Sequence, residues 1–160
     1  MDVRHAGSRL SIIDDFFELR SAERTQFIDL TDRVRDCLRR SAIERGLVQI
    51  QVLHTTAAVL VNENEPRLLE DFKGVLERLA PGNGRYAHND LEERGGSVEP
   101  GERPNGHAHA RALLLGSSVL LNVRGGELVL GRWQSIFLVE LDGPRDRMVA
   151  LTMMGQERTA

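Results

Sequence analysis

Residues 47–61 read LVQIQVLHTTAAVLV, and the reading of this run decides the fold. Val48, Ile50 and Val52 fall on one side of an extended chain and Gln49 and Gln51 on the other, the period-two pattern of a half-buried strand. Ala57 to Glu63 continues as another strand. Asn64, Glu65 and Pro66 then open a helix whose apolar face is Leu69, Phe72, Leu76 and Leu79. His54 ends the first strand on the face of Val48, Ile50 and Val52. Thr55 and Thr56 place hydroxyls beside it, where the strand stops.

Outward from this run the pattern stays mostly extended. On the N-terminal side, residues 10–19 read as a strand, 20–24 as a turn and 25–30 as a second strand. Thr31 is the expected helix N-cap, with Asp32 in the first turn, where negative charge suits the helix dipole. Val34, Cys37 and Leu38 repeat at helical spacing, and Gly46 is the expected stop. On the C-terminal side a short helix is expected over 108–115, followed by a strand in which Val119, Leu121 and Val123 alternate. Gly125-Gly126 is a two-residue hairpin turn and Glu127 to Leu130 returns. Trp133 to Leu141 and Arg147 to Met154 pair around Asp142-Gly143-Pro144. With so little βαβ alternation, the expected class is α+β: a two-layer, mainly antiparallel β-sandwich with two main helices, one domain over 1–160.

Composition narrows the function. Of the 160 residues 41% are hydrophobic, enough for a real core, which argues against a disordered chain. The net charge of −3 gives no support to nucleic-acid binding. Lys73 is the only lysine, so the positive charge is almost entirely arginine. A single cysteine, Cys37, excludes an intramolecular disulfide and a cysteine-built zinc site, and its place on the inner face of a helix marks it as core. No apolar run approaches a membrane span, and the first residues, with Asp2, Asp14 and Asp15, lack a secretory apolar core. A cytoplasmic setting is expected, with no membrane partner.

The segment 80–106 departs from the rest, with six glycines and three prolines. A loop this long inside a compact domain is usually functional or mobile. It holds Tyr86, His88 and Asp90 and ends in Asn105-Gly106-His107-Ala108-His109. His107 and His109 would point the same way if extended and opposite ways on a helix. Asn105-Gly106 suggests a helix start, with His107 capping it and His109 pointing inward. His5 lies in a tail and is incidental. Three or four neutral imidazoles near Glu63, Glu65 and Asp90 suit zinc or a similar divalent ion, yet their spacing matches no strict ligand motif and equally admits histidines that never meet. Glu63, leaving a strand just before a helix, fits a general base, a metal ligand or a solvated carboxylate. Ser117 and Ser118, after Gly116, offer hydroxyls and N–H groups suited to phosphate or sulfate oxygens. There is no Walker-type loop and no Gly-x-Ser-x-Gly nucleophile turn. Trp133, beside Gly131, reads as close core packing.

Taken in order, His54-Thr55-Thr56-Ala57-Ala58, Val61-Asn62-Glu63-Asn64, Tyr86 with His88, Asn105 with His109, Gly116-Ser117-Ser118 and Gly131-Arg132-Trp133-Gln134-Ser135-Ile136 resemble the YjbQ-like family, also called the secondary thiamine-phosphate synthase family. The likeness runs from about Thr25 to Gly155. Many relatives carry an acidic residue where this chain has His107. The resemblance implies an α+β sandwich, a homotrimer with its histidine cluster near a subunit boundary, and a weak thiamine-phosphate synthase activity that joins a pyrimidine pyrophosphate to a thiazole phosphate. On that basis the expected catalytic residues are His54, Glu63 and His109. The expected binders of substrate and phosphate are Thr55, Thr56, Asn105, Ser117, Ser118 and Gln134, with Arg85 and Arg103 closing over them. The expected ligands of a divalent metal, zinc or magnesium, are His54, His88, His107 and His109. Two alternatives stand beside this: a trimer that binds a metal or a phosphorylated metabolite without turnover, and a metal-assisted phosphate-ester hydrolase.

Overall fold

A computed structural model of the chain describes residues 10–99 and 101–158, with only the backbone of Ser97 included. His5, Asp2 and Pro100 lie outside the described residues. Among the described residues, eight strands form two antiparallel sheets. The larger has the order β1-β8-β3-β5-β6, built from β1 (Leu10–Arg20), β3 (Ile43–Val52), β5 (Ser118–Arg124), β6 (Glu127–Leu128) and β8 (Asp146–Glu157). The smaller has the order β2-β7-β4, built from β2 (Gln26–Asp29), β4 (Ala57–Glu63) and β7 (Gln134–Glu140).

Alternation explains the packing of the larger sheet. Val48, Ile50 and Val52 of β3 and Val149, Leu151 and Met153 of β8 turn one face inward, where they meet Val59 of β4, Ile136 and Leu138 of β7, and Val34, Cys37 and Leu38 of α1 (Thr31–Ser41). The middle strand of the smaller sheet does not alternate. Ile136, Phe137, Leu138 and Val139 are all buried, because β7 is covered on both faces. Phe137 and Val139 face a second cluster with Leu76 of α2 (Pro66–Leu79) and Ala108 of α4 (Gly106–Leu115). The two-sheet α+β sandwich is therefore backed by a helical layer. No helix among the described residues is long and apolar enough to cross a membrane.

Three local expectations are corrected. Thr31 is the first helical residue of α1 rather than its cap. Its N–H is taken by Asp29 Oδ1, and its buried Oγ1 accepts the Ile136 N–H at 2.9 Å, tying α1 to β7. Gly46 does not stop α1, which ends at Ser41 with Ala42 in the left-handed region. Gly46 instead sits within β3 opposite Gly155 of β8, where a Cβ on either residue would collide with the partner backbone. Trp133 is not core: it is 62% exposed, in the turn before β7, with the Arg132 guanidinium over its ring.

The segment 80–106 is tied down by its own polar groups. The Tyr86 hydroxyl donates to Pro81 O, Arg94 of α3 (Leu91–Arg94) donates to His88 O, and Asn89 Oδ1 accepts the Gly106 N–H at 2.8 Å.

Candidate functional site

The chain passes from one sheet to the other through Leu53-His54-Thr55-Thr56, between β3 and β4. β8 runs beside this crossing. The Leu53 N–H donates to Met148 O at 3.1 Å, and the Met148 N–H returns a bond to His54 Nε2 at 2.9 Å. The turn between β7 and β8 brings Asp142 and Arg145 to the same end of the sandwich. The segment 80–106 closes the other side with His88, Arg94, Glu102 and Asn105, and His109 joins them from α4. These residues, apart from Met148 and Asp142, line an open cleft of about 530 Å³ together with Arg147.

The hydrogen bond at His54 settles what that ring offers. A nitrogen that accepts an N–H carries no proton, so neutral His54 holds its proton on Nδ1. Burial, reinforced by Arg147, lowers the His54 pKa below the ordinary 6.5 despite the opposing pull of Glu140, which favours this neutral form. His54, which lines the cleft, therefore carries an N–H at Nδ1 and no free lone pair in its neutral form.

Behind it lies a buried ion pair. Glu140 and Arg147, both under 4% exposed, are joined by bonds of 2.7 and 2.5 Å. Burial alone would raise the Glu140 pKa, but bonds from Arg147, the Asp142 N–H and Ser21 outweigh it, and the net shift is downward. Arg147 also donates to Thr56 Oγ1 at 3.0 Å, which leaves the Thr56 hydroxyl proton free to be donated. Arg145 is held by two bonds to Asp142 Oδ2, at 2.9 and 2.6 Å, and remains partly open to solvent.

His88 and His109 meet edge to face with ring centres 4.6 Å apart. Burial, then the neighbouring His88, lowers the His109 pKa. His88 Nε2 lies 3.7 Å from Glu102 Oε1, too far for a hydrogen bond.

One chain thus brings His54, Thr55, Thr56, His88, Asn105 and His109 to a common cleft. It does not bring the other expected residues there. His107 and His109 point to opposite sides of α4, as a helix requires, but His107 is a buried helical residue rather than the cap. His107 is 1% exposed, lies away from the cleft with Nε2 3.4 Å from Arg24 Nη2, and faces Tyr86. Glu63 and Gln134 are register partners at the far end of β4 and β7, on the order of 20 Å of extended chain from Thr56. Gln134 Oε1 is occupied by the Gly131 N–H. Ser118 pairs with Gln51 on the solvent side of the larger sheet, and Ser117 is likewise exposed. Arg103 is spent on Asp142 Oδ1 and the carbonyls of Asp142 and Gly143, while Arg85 lies in a separate surface hollow beside Tyr86 and Asp90.

The donor set does not fit a metal ion within one chain. Among the described residues no group of three or more His, Cys, Asp or Glu side chains is placed to hold one. His54 could not serve as a neutral ligand: Nε2 is occupied, and Nδ1 carries the proton.

Sequence reasoning missed Arg145, Arg147 and Glu140. A signal for two of them was present. Arg147 stands in period-two register with the buried Val149, Leu151 and Met153, and Glu140 interrupts the buried run from Ile136 to Leu141, so each is a charge at a core-facing position.

Comparison with known proteins gives one consistent result. The family model described as UPF0047 protein YjbQ-like matches residues 15–156. A UPF0047 protein of Methanothermobacter thermautotrophicus is 38% identical over 138 residues, covering 86% of this chain and 89% of the relative. One from Archaeoglobus fulgidus is 40% identical over 131 residues, covering 82% and 93%. Among solved structures, a YbjQ-like protein of unknown function from Sulfolobus solfataricus superposes with a TM-score of 0.82 at 34% identity, covering 92% of this chain and 99% of the other. A hypothetical protein from Aeropyrum pernix K1 gives 0.79 at 38% identity, covering 89% and 98%.

Proposed function

The chain belongs to the YjbQ-like UPF0047 family, and from that premise we propose that its cleft binds a small phosphorylated metabolite and supports a slow thiamine-phosphate synthase reaction. The observation that carries this reading is the His54–Met148 bond, which leaves a fixed N–H donor on His54 beside the Thr55 and Thr56 hydroxyls and Arg145. Hydrogen-bond donors and arginine are the groups that recognise phosphate oxygens.

In the proposed reaction the C–O bond between the pyrimidine-bearing carbon and pyrophosphate breaks, and its electron pair leaves with pyrophosphate. The lone pair of the thiazole nitrogen forms the new C–N bond. His54, Thr55, Thr56 and Arg145 hold the departing oxygens, where charge grows in the transition state. His88 and His109 line the space in which the two heterocycles are aligned. Zinc or magnesium has no complete ligand set among the described residues of one chain, so no step is routed through a metal.

The same reading takes the protein as a homotrimer. The outer face of the larger sheet supports self-association: Ile12, Phe16, Leu120 and Met154 are exposed on it, a surface that a monomer would leave in water. Glu63, Gln134, Ser117 and Ser118 do not line the cleft of their own chain.

A second reading, binding without turnover, is favoured by one observation. The described residues lack an acidic cluster of the kind that holds Mg²⁺ on pyrophosphate. Incubation of the purified protein with the pyrimidine pyrophosphate and the thiazole phosphate separates the two. The synthase reading expects pyrophosphate release above a no-enzyme control, lost in His54→Ala and His109→Ala. Binding of both precursors with no release in the wild type supports the binder instead.

A further inference from the structure

Asn105 is 7% exposed, lines the cleft and has one amide atom without a partner. Its Nδ2 donates to Asp142 Oδ2 at 3.1 Å, while its Oδ1 is buried with no hydrogen bond. The amide cannot turn over without cost, because that would set Oδ1 against the Asp142 carboxylate, which Arg103 and Arg145 hold in place. Nor does Oδ1 have its ordinary local use. Asn105 is the N-cap of α4, a position where asparagine normally accepts an N–H of the first turn, yet it makes no side-chain cap bond. The Gly106 N–H is taken by Asn89 instead.

From this bookkeeping we infer that the ligand of the cleft carries, besides its phosphate, an amine or hydroxyl hydrogen that Asn105 Oδ1 receives, and that Asn105 selects for it. The inference rests on the phosphorylated-ligand reading above and names the other half of that ligand. It also reassigns Asn105. A phosphate oxygen is an acceptor and has no attraction for a second acceptor, so Asn105 reads the non-phosphate part of the molecule. Sites built to pair a substrate O–H or N–H discriminate strongly against the analogue that lacks it, because the site's own polar atom is then left buried and unpaired.

The test is calorimetric titration of the full chain with inorganic pyrophosphate and with two matched pairs. The amine pair is (4-aminopyrimidin-5-yl)methyl phosphate against (pyrimidin-5-yl)methyl phosphate. The hydroxyl pair is glycerol 1-phosphate against propyl phosphate. In at least one pair the donor-bearing member is expected to bind the wild type about tenfold tighter or more, and Asn105→Leu is expected to reduce that preference to near unity. The wild-type comparison stands even where the variant does not fold. Equal binding within both pairs, with pyrophosphate still bound, overturns the inference and leaves the phosphate reading intact. A preference that survives in folded Asn105→Leu overturns the role given to Asn105. Failure of pyrophosphate and all four esters to bind overturns the phosphate reading itself.

Discussion

The imidazole of His54 accepts a hydrogen bond at Nε2 from the main-chain N–H of Met148, 2.9 Å away. A strand of the larger sheet thereby fixes the tautomer of a histidine in the crossing between the two sheets. The consequence is chemical: the ring offers the cleft a proton donor and no lone pair in its neutral form.

That assignment is open to direct observation. Nitrogen-15 correlation spectra of the imidazole side chains should show His54 protonated on Nδ1 at neutral pH, with a midpoint below 6.5 because burial and Arg147 oppose its charging. A neutral His54 with its proton on Nε2 would contradict the geometry.

Stability should fall on mild acidification. His54, His107 and His109 all have pKa values lowered from 6.5, chiefly by burial, so below that pH the unfolded chain binds protons that the folded chain refuses. Their contribution is complete above about 6.5 and is lost progressively as pH drops from there towards the folded values. His107 is the most buried of the three, so His107→Gln should flatten the dependence more than the same change at His54. Urea midpoints that stay level between about pH 7 and pH 5.5 would count against this account.

The Glu140–Arg147 pair should resist single substitutions. Glu140→Ala leaves the Arg147 charge buried and removes the acceptor used by Ser21 and by the Leu141 and Asp142 N–H groups, at an expected cost of about 3–5 kcal/mol. Pairing Glu140→Leu with Arg147→Met should recover much of that loss, since a well-packed apolar pair avoids the desolvation of two charges. Equilibrium unfolding that shows under 1 kcal/mol for the single change would remove the pair from the structural argument.

Self-association should depend on the outer sheet face. Ile12→Glu with Phe16→Glu places two charges on exposed apolar positions of β1 and is expected to convert a trimer to monomers in light-scattering measurements. An unchanged trimer mass would move the interface elsewhere.

Much of the fold was legible because single-sided strands write their burial into a period of two. Val48, Ile50 and Val52 are buried while Gln49 and Gln51 are exposed. Gly46 misled because glycine both ends helices and permits strands to approach closely, and only its partner Gly155, over a hundred residues away, distinguishes the two uses. The site was half legible. His54, Thr55 and Thr56 sit where a strand ends, a local property. Which of His107 and His109 faces the cleft depends on how α4 is rotated against β4 and β7, and that rotation is set by contacts such as Ala108 with Phe137 and Val139. Arg145 was hidden among many arginines, since its role arises from the turn that sets it against Asp142.

The central claim, that the cleft recognises phosphate through protein donors, is tested most directly by titrating pyrophosphate into the wild type and into His54→Phe in the presence of EDTA. The account predicts saturable binding by the wild type and an affinity at least about tenfold lower in the folded variant, as expected for loss of a donor to a charged group. Equal affinity in the two proteins, or no binding by the wild type once metals are chelated, would contradict it.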